Sequence, residues 1–294
     1  MLSILIPVYN YNVFPLVLEL KRQADNLGIE YEILAQDDFS QNFANENTQI
    51  NTLENCSFSI NTGNLGRGRN INLLCSKSKY NFILIMEADA LPENEFYLKN
   101  YIELLSNSTS VIFGGVKYPD IVPSKEKILR WKYGLKRESK SLNQRLQNNY
   151  DFVFTWNLIL KKEIILQFPF PEFIKDYGYE DLIFINNLRL NSIPVSHTEN
   201  LLIHYNNENS IDFIEKAEKA VQNLHNLVQF HKIDPESTRL TKFHSLLNRL
   251  YLTGIAKAIY SITKKRILAN LTSEKPNLYL LDFYKLGFYC DLKK

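Results

Sequence analysis

"FILIMEADALPE", residues 82–93, reads as a buried strand that ends on carboxylates. Phe82 to Met86 form an uninterrupted apolar run of strand length, and Glu87 and Asp89 follow one residue apart before Pro92 turns the chain. Carboxylates at i and i+2 of a chain leaving a strand lie on the same side. They can grip one divalent cation, and such a cation can neutralise a diphosphate. The plainer alternative is a pair of surface acids opening a turn.

Similar runs recur on either side: "LSILIPV" (2–8), "EYEILAQDD" (30–38), "CSFSI" (56–60) and "SVIFGGV" (110–116). Between them apolar residues fall at helical spacing, first as Phe14, Leu16, Val17, Leu20 and Ala24, then as Ile71, Leu74, Cys75 and Ser78. A third set is Phe96, Leu98, Ile102 and Leu105. This alternation predicts an α/β domain with a mostly parallel sheet. Ligands of such sheets bind outside the carboxyl ends of the strands, so the polar groups just past each run carry the information. They are Tyr9 and Asn10, Asp37 and Asp38, the segment Asn64 to Asn70, and Glu87 and Asp89. "NTGNLGRGRN" (61–70), with three glycines and two arginines ahead of a helix, suits a phosphate or a simple glycine turn. Its glycine order reverses the dinucleotide fingerprint.

Composition bounds the function. With 45% apolar and 22% charged residues, the 294-residue chain is ordinarily globular and builds a sizeable core. Its net charge of +2 gives no bulk electrostatic case for a nucleic-acid partner. Cys56, Cys75 and Cys290 are widely spaced and odd in number, which suits core thiols in a reducing compartment. "MLSILIPVYN" lacks a basic leader and is interrupted by Pro7, so it reads as a strand. No apolar segment approaches the roughly 20 residues that span a bilayer. A cytoplasmic protein is expected, with the inner face of the cytoplasmic membrane as a further setting.

The pattern dissolves over 117–150, a Lys- and Arg-rich stretch expected to be an inserted loop with a short helix. There Arg130, Lys132, Lys136 and Arg137 suit a lipid diphosphate or an anionic glycan, or simply a solvated loop. Order resumes over 152–165, then in "YGYEDLIFINNLRLN" (177–191), where Leu182, Ile185 and Leu188 step helically, and in "IPVSHTENLLIHY" (193–205). Glu180 and Asp181 sit at a helix start, placed to cap it or to act as a base. His204 ends an apolar run, as a structural histidine or as a ligand beside carboxylates. After about 208 the chain reads as helical. Phe213, Ile214, Ala217, Val221, Leu224 and Val228 form one stripe; Leu240, Phe243, Leu247, Leu250, Gly254, Ala258 and Ile262 form another, studded with Lys and Arg. That second stripe can lie on an anionic membrane or pack on its own domain. The expected division is a domain of 1–208 and a helical extension of 209–294.

In order and spacing, "SILIPVYN", "DDFS", "NLGRGRN", "EADALP", "YGYEDLIF" and a later His resemble an inverting family 2 glycosyltransferase of GT-A fold, of the type common in bacterial polysaccharide synthesis. "GYED" with the late His also resembles a galactosyltransferase-like segment found in some of these enzymes. The resemblance spans roughly 1–206 and implies a metal-dependent hexosyltransferase of cell-envelope glycans. It would use a nucleotide-sugar donor, a UDP-sugar by preference, Mn²⁺ or Mg²⁺, and a glycan or lipid-linked acceptor. By that resemblance Pro7, Tyr9 and Asp38 hold base and ribose with Asp37 nearby, and Arg67 and Asn70 line the diphosphate. Asp89 and His204 bind metal, Glu87 lies nearer the ribose, Asp181 is the base, Glu180 orients the acceptor, and Trp156 and Asn157 line its pocket. Two residues depart from the pattern: Glu87 stands where Asp is usual, and Gln36 where apolar residues are commoner. The rival readings are a non-catalytic nucleotide-sugar or glycan binder on the same fold and an NAD-dependent oxidoreductase.

Overall fold

A computed structural model describes residues 1–105, 111–174, 177–206 and 208–292. Its strands are β1 (Leu2–Val8), β2 (Tyr31–Asp37), β3 (Cys56–Ile60), β4 (Phe82–Met86), β5 (Ala90–Pro92), β6 (Val111–Phe113), β7 (Val116–Lys117), β8 (Asn157–Lys161), β9 (Val195–His197) and β10 (Leu202–His204). Seven form the central sheet in the order β3-β2-β1-β4-β8-β6-β9; β5, β10 and β7 form a small second one. β3, β2, β1 and β4 are mutually parallel, and β8 runs antiparallel to both β4 and β6. This is the mixed, mostly parallel α/β sheet that the sequence predicts.

Strand direction sets the site. Met86 pairs with Asn157, so β8 begins at the edge where β4 ends. Residues just before β8 therefore meet residues just after β1, β2 and β4. In the second sheet Ala90 pairs with His204, and the Tyr205 N–H donates to the Asp89 carbonyl at 2.8 Å. A histidine more than a hundred residues downstream is thereby fixed beside Asp89.

The chain divides into two compact units. One comprises Met1–Pro119, Lys136–Lys175 and Glu180–Asn206; the other comprises Asp120–Leu135, Asp176–Tyr179 and Asn207–Lys294. In the sheet unit, β1 and β4 are almost wholly buried, which accounts for their uninterrupted apolar runs. The helix Phe14–Leu27 buries Leu16, Val17, Leu20 and Ala24, and Arg67–Lys77 buries Ile71, Leu74 and Cys75, as their spacing predicts. On Tyr97–Leu105 the buried face is Tyr97, Leu98 and Tyr101, one step from the expected stripe, and Phe96 is exposed. Burial pushes the Cys56 and Cys75 thiols up to about 11, as suits inert core thiols.

The expected strand 110–116 begins at Ser110, outside the described residues, and the rest divides between the two sheets as β6 and β7. Gly114 and Gly115 make the crossing. A Cβ on Gly114 would stand 2.3 Å from both the Tyr101 hydroxyl and the Asn200 carbonyl, and Gly115 has φ +89°.

The helical unit has its own core of Leu129, Ile214, Tyr260, Ile267, Leu271, Leu281 and Tyr284. It takes in part of the 117–150 stretch, which is more ordered than a loop. Helix Ile128–Tyr133 buries Arg130 with its guanidinium 5.3 Å from the Phe213 ring centre, and Lys132 donates to the Pro276 carbonyl at 2.7 Å. These two cations pack rather than form a solvated loop. Within the sheet unit, Arg145 is likewise buried, donating to the carbonyls of Phe113 and Thr198. The helix Ser210–Gln229 buries Ile214, Ala217, Val221 and Leu224 as predicted. The second stripe is broken by Tyr251, at φ +59°, into helices Arg239–Arg249 and Thr253–Leu271. Its outer members face solvent: Phe243, Leu250, Gly254, Ala258 and Ile262 are all exposed. Among the described residues no helix is long and apolar enough to cross a membrane.

Because the atoms crowding Gly114 belong to a backbone carbonyl and a fully buried tyrosine, Gly114→Ala is expected to cost about 3 kcal/mol. Urea denaturation measures this as a lowered midpoint at unchanged slope.

Candidate active site

One guanidinium organises the sheet edge. Arg67, the first residue of helix Arg67–Lys77, donates through Nη1 to Asp181 Oδ1 at 2.8 Å and to Thr155 Oγ1 at 3.0 Å, and through Nη2 to Glu87 Oε2 at 3.2 Å. The Thr155 hydroxyl also donates to Asp181 Oδ1, at 2.5 Å. Oδ1 is thus held by two hydrogen bonds, whereas among the described residues Oδ2 takes only a long one from the Thr155 N–H at 3.4 Å. Asp181 is thereby fixed in orientation, with Oδ2 the less engaged oxygen.

Charge in this cluster is unbalanced. Burial pushes the Glu87 carboxyl above its ordinary range, with Asp89 and Asp181 adding to the effect and Arg67 and His204 opposing it. Glu180 is raised in the same way, by burial first and then by Asp181 and Glu87, against Arg67. For Arg67 burial works against the charge, but Glu87, Asp181 and Glu180 outweigh it and raise its pKa. Four carboxylates thus share one guanidinium and one imidazole, a field that favours a cation and resists an unaccompanied anion.

Asp89 and His204 face each other, with Oδ1 and Nε2 2.9 Å apart. His204 Nδ1 lies 3.0 Å from the Tyr118 hydroxyl, which donates its own proton to Glu138. That oxygen therefore accepts from Nδ1–H, and Nε2 is turned toward Asp89. A lone pair against a carboxylate at this distance needs a cation between them, either a proton on the ring or a metal ion. Two ligands at right angles on an octahedral ion with bonds of about 2.1 Å stand about 3 Å apart, so the pair fits a divalent cation. Among the described residues no group of three or more His, Cys, Asp or Glu could hold one unaided. Phosphate oxygens are the usual complement where Mg²⁺-like ions have few protein ligands. Trp156 is nearly buried against the imidazole, ring centres 4.8 Å apart. Tyr11, its hydroxyl pKa raised by burial and then by Asp89, also borders the pair.

Other predicted site residues are engaged in holding the edge together. Asp38 is buried and accepts from Leu65 N and Asn61 Nδ2 at 2.8 and 2.9 Å on Oδ1, and from Gly66 N at 2.8 Å on Oδ2. The N–H groups of Leu65 and Gly66 thus point at Asp38 rather than outward. Asn70 is buried below, donating to the Gln36 carbonyl and accepting from Asn61. Gln36, unexplained by sequence, meets Asn61, Ser59 and Lys77 in the same network. Asp37 accepts from the Ser40 N–H and hydroxyl. Pro7 is buried within β1, and Tyr9 beyond it is exposed. Asn157 is fully buried, accepting from the Tyr97 and Tyr101 hydroxyls at 2.6 and 2.8 Å and donating to the carbonyls of Gly115 and Asn200 at 2.6 and 2.9 Å. Its carboxamide is saturated inside the fold, which corrects its placement in an acceptor pocket. Sequence reasoning missed Thr155, Tyr118 and Glu138. Thr155 directly precedes the quoted Trp156, and Tyr118 follows β7, so both were open to the same strand-end logic.

The Glycosyl transferase family 2 profile matches residues 3–167, more than half of the chain. The chain belongs to that family. No curated protein matches it. Among solved structures it is similar to S. aureus TarS, at 19% identity and TM-score 0.53, covering 97% of this chain and 54% of that one. It therefore spans about half the length of that relative. A TarS 1–349 structure in complex with UDP-GlcNAc is 17% identical at TM-score 0.51, covering 97% of this chain and 90% of that one. The mannosyltransferase PcManGT from Pyrobaculum calidifontis, in complex with GDP-Man and Mn2+, is 13% identical at TM-score 0.53, covering 99% and 88%. These likenesses establish the GT-A fold.

Two expectations follow for this family 2 site. Asn157→Ala strands two tyrosine hydroxyls and two carbonyls, so it should cost about 3 kcal/mol or more in urea denaturation. Glu180 has a raised pKa, so its ionisation costs stability as pH rises through that raised value, and the cost is absent below the ordinary glutamate range. Glu180→Gln should therefore raise the melting temperature at neutral pH by a few degrees, about 2–4 °C per kcal/mol. Calorimetric scans should show the gain vanishing as pH falls to about 4.

Proposed function

We propose that this family 2 chain is an inverting, metal-dependent glycosyltransferase moving a sugar from a nucleoside-diphosphate sugar, by preference a UDP-sugar, to a hydroxyl of a glycan or lipid-linked acceptor. The observation that carries the reading is the pairing, on one edge, of an oriented carboxylate at Asp181 with the facing Asp89 and His204. The UDP-GlcNAc and GDP-Man complexes of its structural neighbours support the class of donor, and the Mn2+ of the second supports the metal.

Asp181 Oδ2 takes the proton of the acceptor hydroxyl as its oxygen attacks the anomeric carbon. The bond from that carbon to the phosphate oxygen breaks, its electron pair leaves with the nucleoside diphosphate, and a single displacement inverts the anomeric configuration. Thr155 and Arg67 hold Oδ1, so the base keeps its angle through the step. Asp89 and His204 would hold the divalent cation, with Glu138 and Tyr118 fixing the imidazole from behind. When bound, that ion supplies charge neutralisation for the departing diphosphate. Trp156 shields the imidazole from solvent, and Glu180 beside the base is placed to orient an acceptor sugar. Catalysis is assigned to the unit that carries the sheet.

In a screen of UDP- and GDP-sugars with Mn²⁺ and Mg²⁺, acceptor-dependent release of nucleoside diphosphate is expected from one donor class. Asp181→Asn should lower turnover by about a hundredfold or more while metal-dependent donor binding persists. Asp89→Ala should abolish the Mn²⁺ dependence of UDP binding in calorimetry. Undiminished turnover of Asp181→Asn would refute the base assignment. Binding without turnover across donors and acceptors would instead make the chain a nucleotide-sugar binder.

A further inference from the structure

Helices Arg239–Arg249 and Thr253–Leu271 and the turn between them expose apolar side chains along their length. On the first, Phe243, Leu246 and Leu250 step by three and four residues and so share a face; on the second, Ile255, Ile259 and Ile262 do the same. Tyr251 in the turn is 92% exposed and Ile262 is 81% exposed. The core-facing side of the second helix is a different one, Ala256, Tyr260, Ile267 and Leu271. This helix is therefore apolar on two faces, of which its own unit covers one. A continuous exposed apolar track of this kind marks an interaction surface.

Its charge identifies the occupant. Residues 237–273 contain seven Lys and Arg and no Asp or Glu. Three of these cations already have partners: Arg249 with Glu236 at 3.8 Å, Lys257 with Asp291 at 2.9 Å, and Lys264 over the rings of Tyr260 and Tyr284. The other four, Arg239, Lys242, Lys265 and Arg266, are exposed and have no ion pair among the described residues. By helical position Lys242 and Lys265 flank the two apolar faces, and Arg239 and Arg266 stand in line with them at their ends. Cations flanking an exposed apolar face are what an interfacial helix presents to anionic headgroups, its apolar side chains entering the acyl boundary while the long basic stems reach outward. A second copy of this chain would set one acid-free surface against another, which like-charge repulsion opposes.

We propose that this two-helix face docks the protein on an anionic lipid surface. The interaction needs neither nucleotide sugar nor acceptor, so it stands apart from the transfer reaction. The test is co-sedimentation of the 294-residue chain with vesicles of phosphatidylcholine alone or mixed with phosphatidylglycerol, at low and raised salt. Partition at least about tenfold stronger onto the anionic vesicles, weakened by salt, is expected. Ile259→Glu with Ile262→Glu should abolish it, and Lys265→Glu with Arg266→Glu should reduce it severalfold. All four side chains are exposed, so circular dichroism and melting should match the parent. Failure of the parent chain to bind anionic vesicles overturns the proposal, as does binding unaffected by the isoleucine changes. Self-association in sedimentation velocity that those changes remove, without vesicle binding, would make the face a contact between copies and overturn it too.

Discussion

A guanidinium clamped between carboxylates from distant segments is the interaction on which the reactive edge depends. Two like charges about 4 Å apart repel by about 4 kcal/mol at an effective dielectric of about 20. Glu87 after β4 and Glu180 with Asp181 at a helix start could not close on one another unaided. Arg67 closes them by giving one nitrogen to Asp181 and Thr155 and the other to Glu87. A lysine, with a single ammonium, lacks the planar fork that serves these partners at once. The same contact fixes the angle of the Asp181 carboxylate and leaves the cluster short of positive charge, so its orientation and its affinity for a cation have one origin.

Around this clamp the polar residues divide by what their lone pairs already do. Asp38, Asn61, Asn70 and Gln36 satisfy one another and the loop N–H groups, forming a rigid floor. Asn157 plays the corresponding part where the two sheets meet, joining Tyr97, Tyr101, Gly115 and Asn200. Buried groups paired in this way contribute rigidity to the edge. The fold leaves other polar atoms less engaged or facing one another, such as Asp181 Oδ2 and the His204 Nε2–Asp89 Oδ1 pair.

Much of the architecture was legible because buried parallel strands write unmistakable apolar runs, and because their ends mark where ligands bind. "FILIMEADALPE" located β4 and the carboxylates beyond it, and the helical spacing of Leu182, Ile185 and Leu188 found helix Glu180–Leu190. Less legible was what each strand-end polar group faces, since that depends on pairing register. Nothing in the local sequence says that Asn157 points into a knot of tyrosines or that Asp38 turns back on its own loop. Thr155 escaped notice because its partner lies 26 residues away across the edge. The basic helical stripe was periodic as read, but periodicity alone does not say which face of a helix meets its neighbours.

The second sheet is made of strands two or three residues long. So small a ladder has little cooperativity of its own and opens more readily than the central sheet. Yet it sets Asp89 against His204 through the Ala90–His204 pairing and the Tyr205 N–H. A cation bridging those side chains would also staple the two segments, stabilising the ladder by mass action in proportion to its occupancy. Opening of the ladder and loss of such an ion would therefore be one equilibrium.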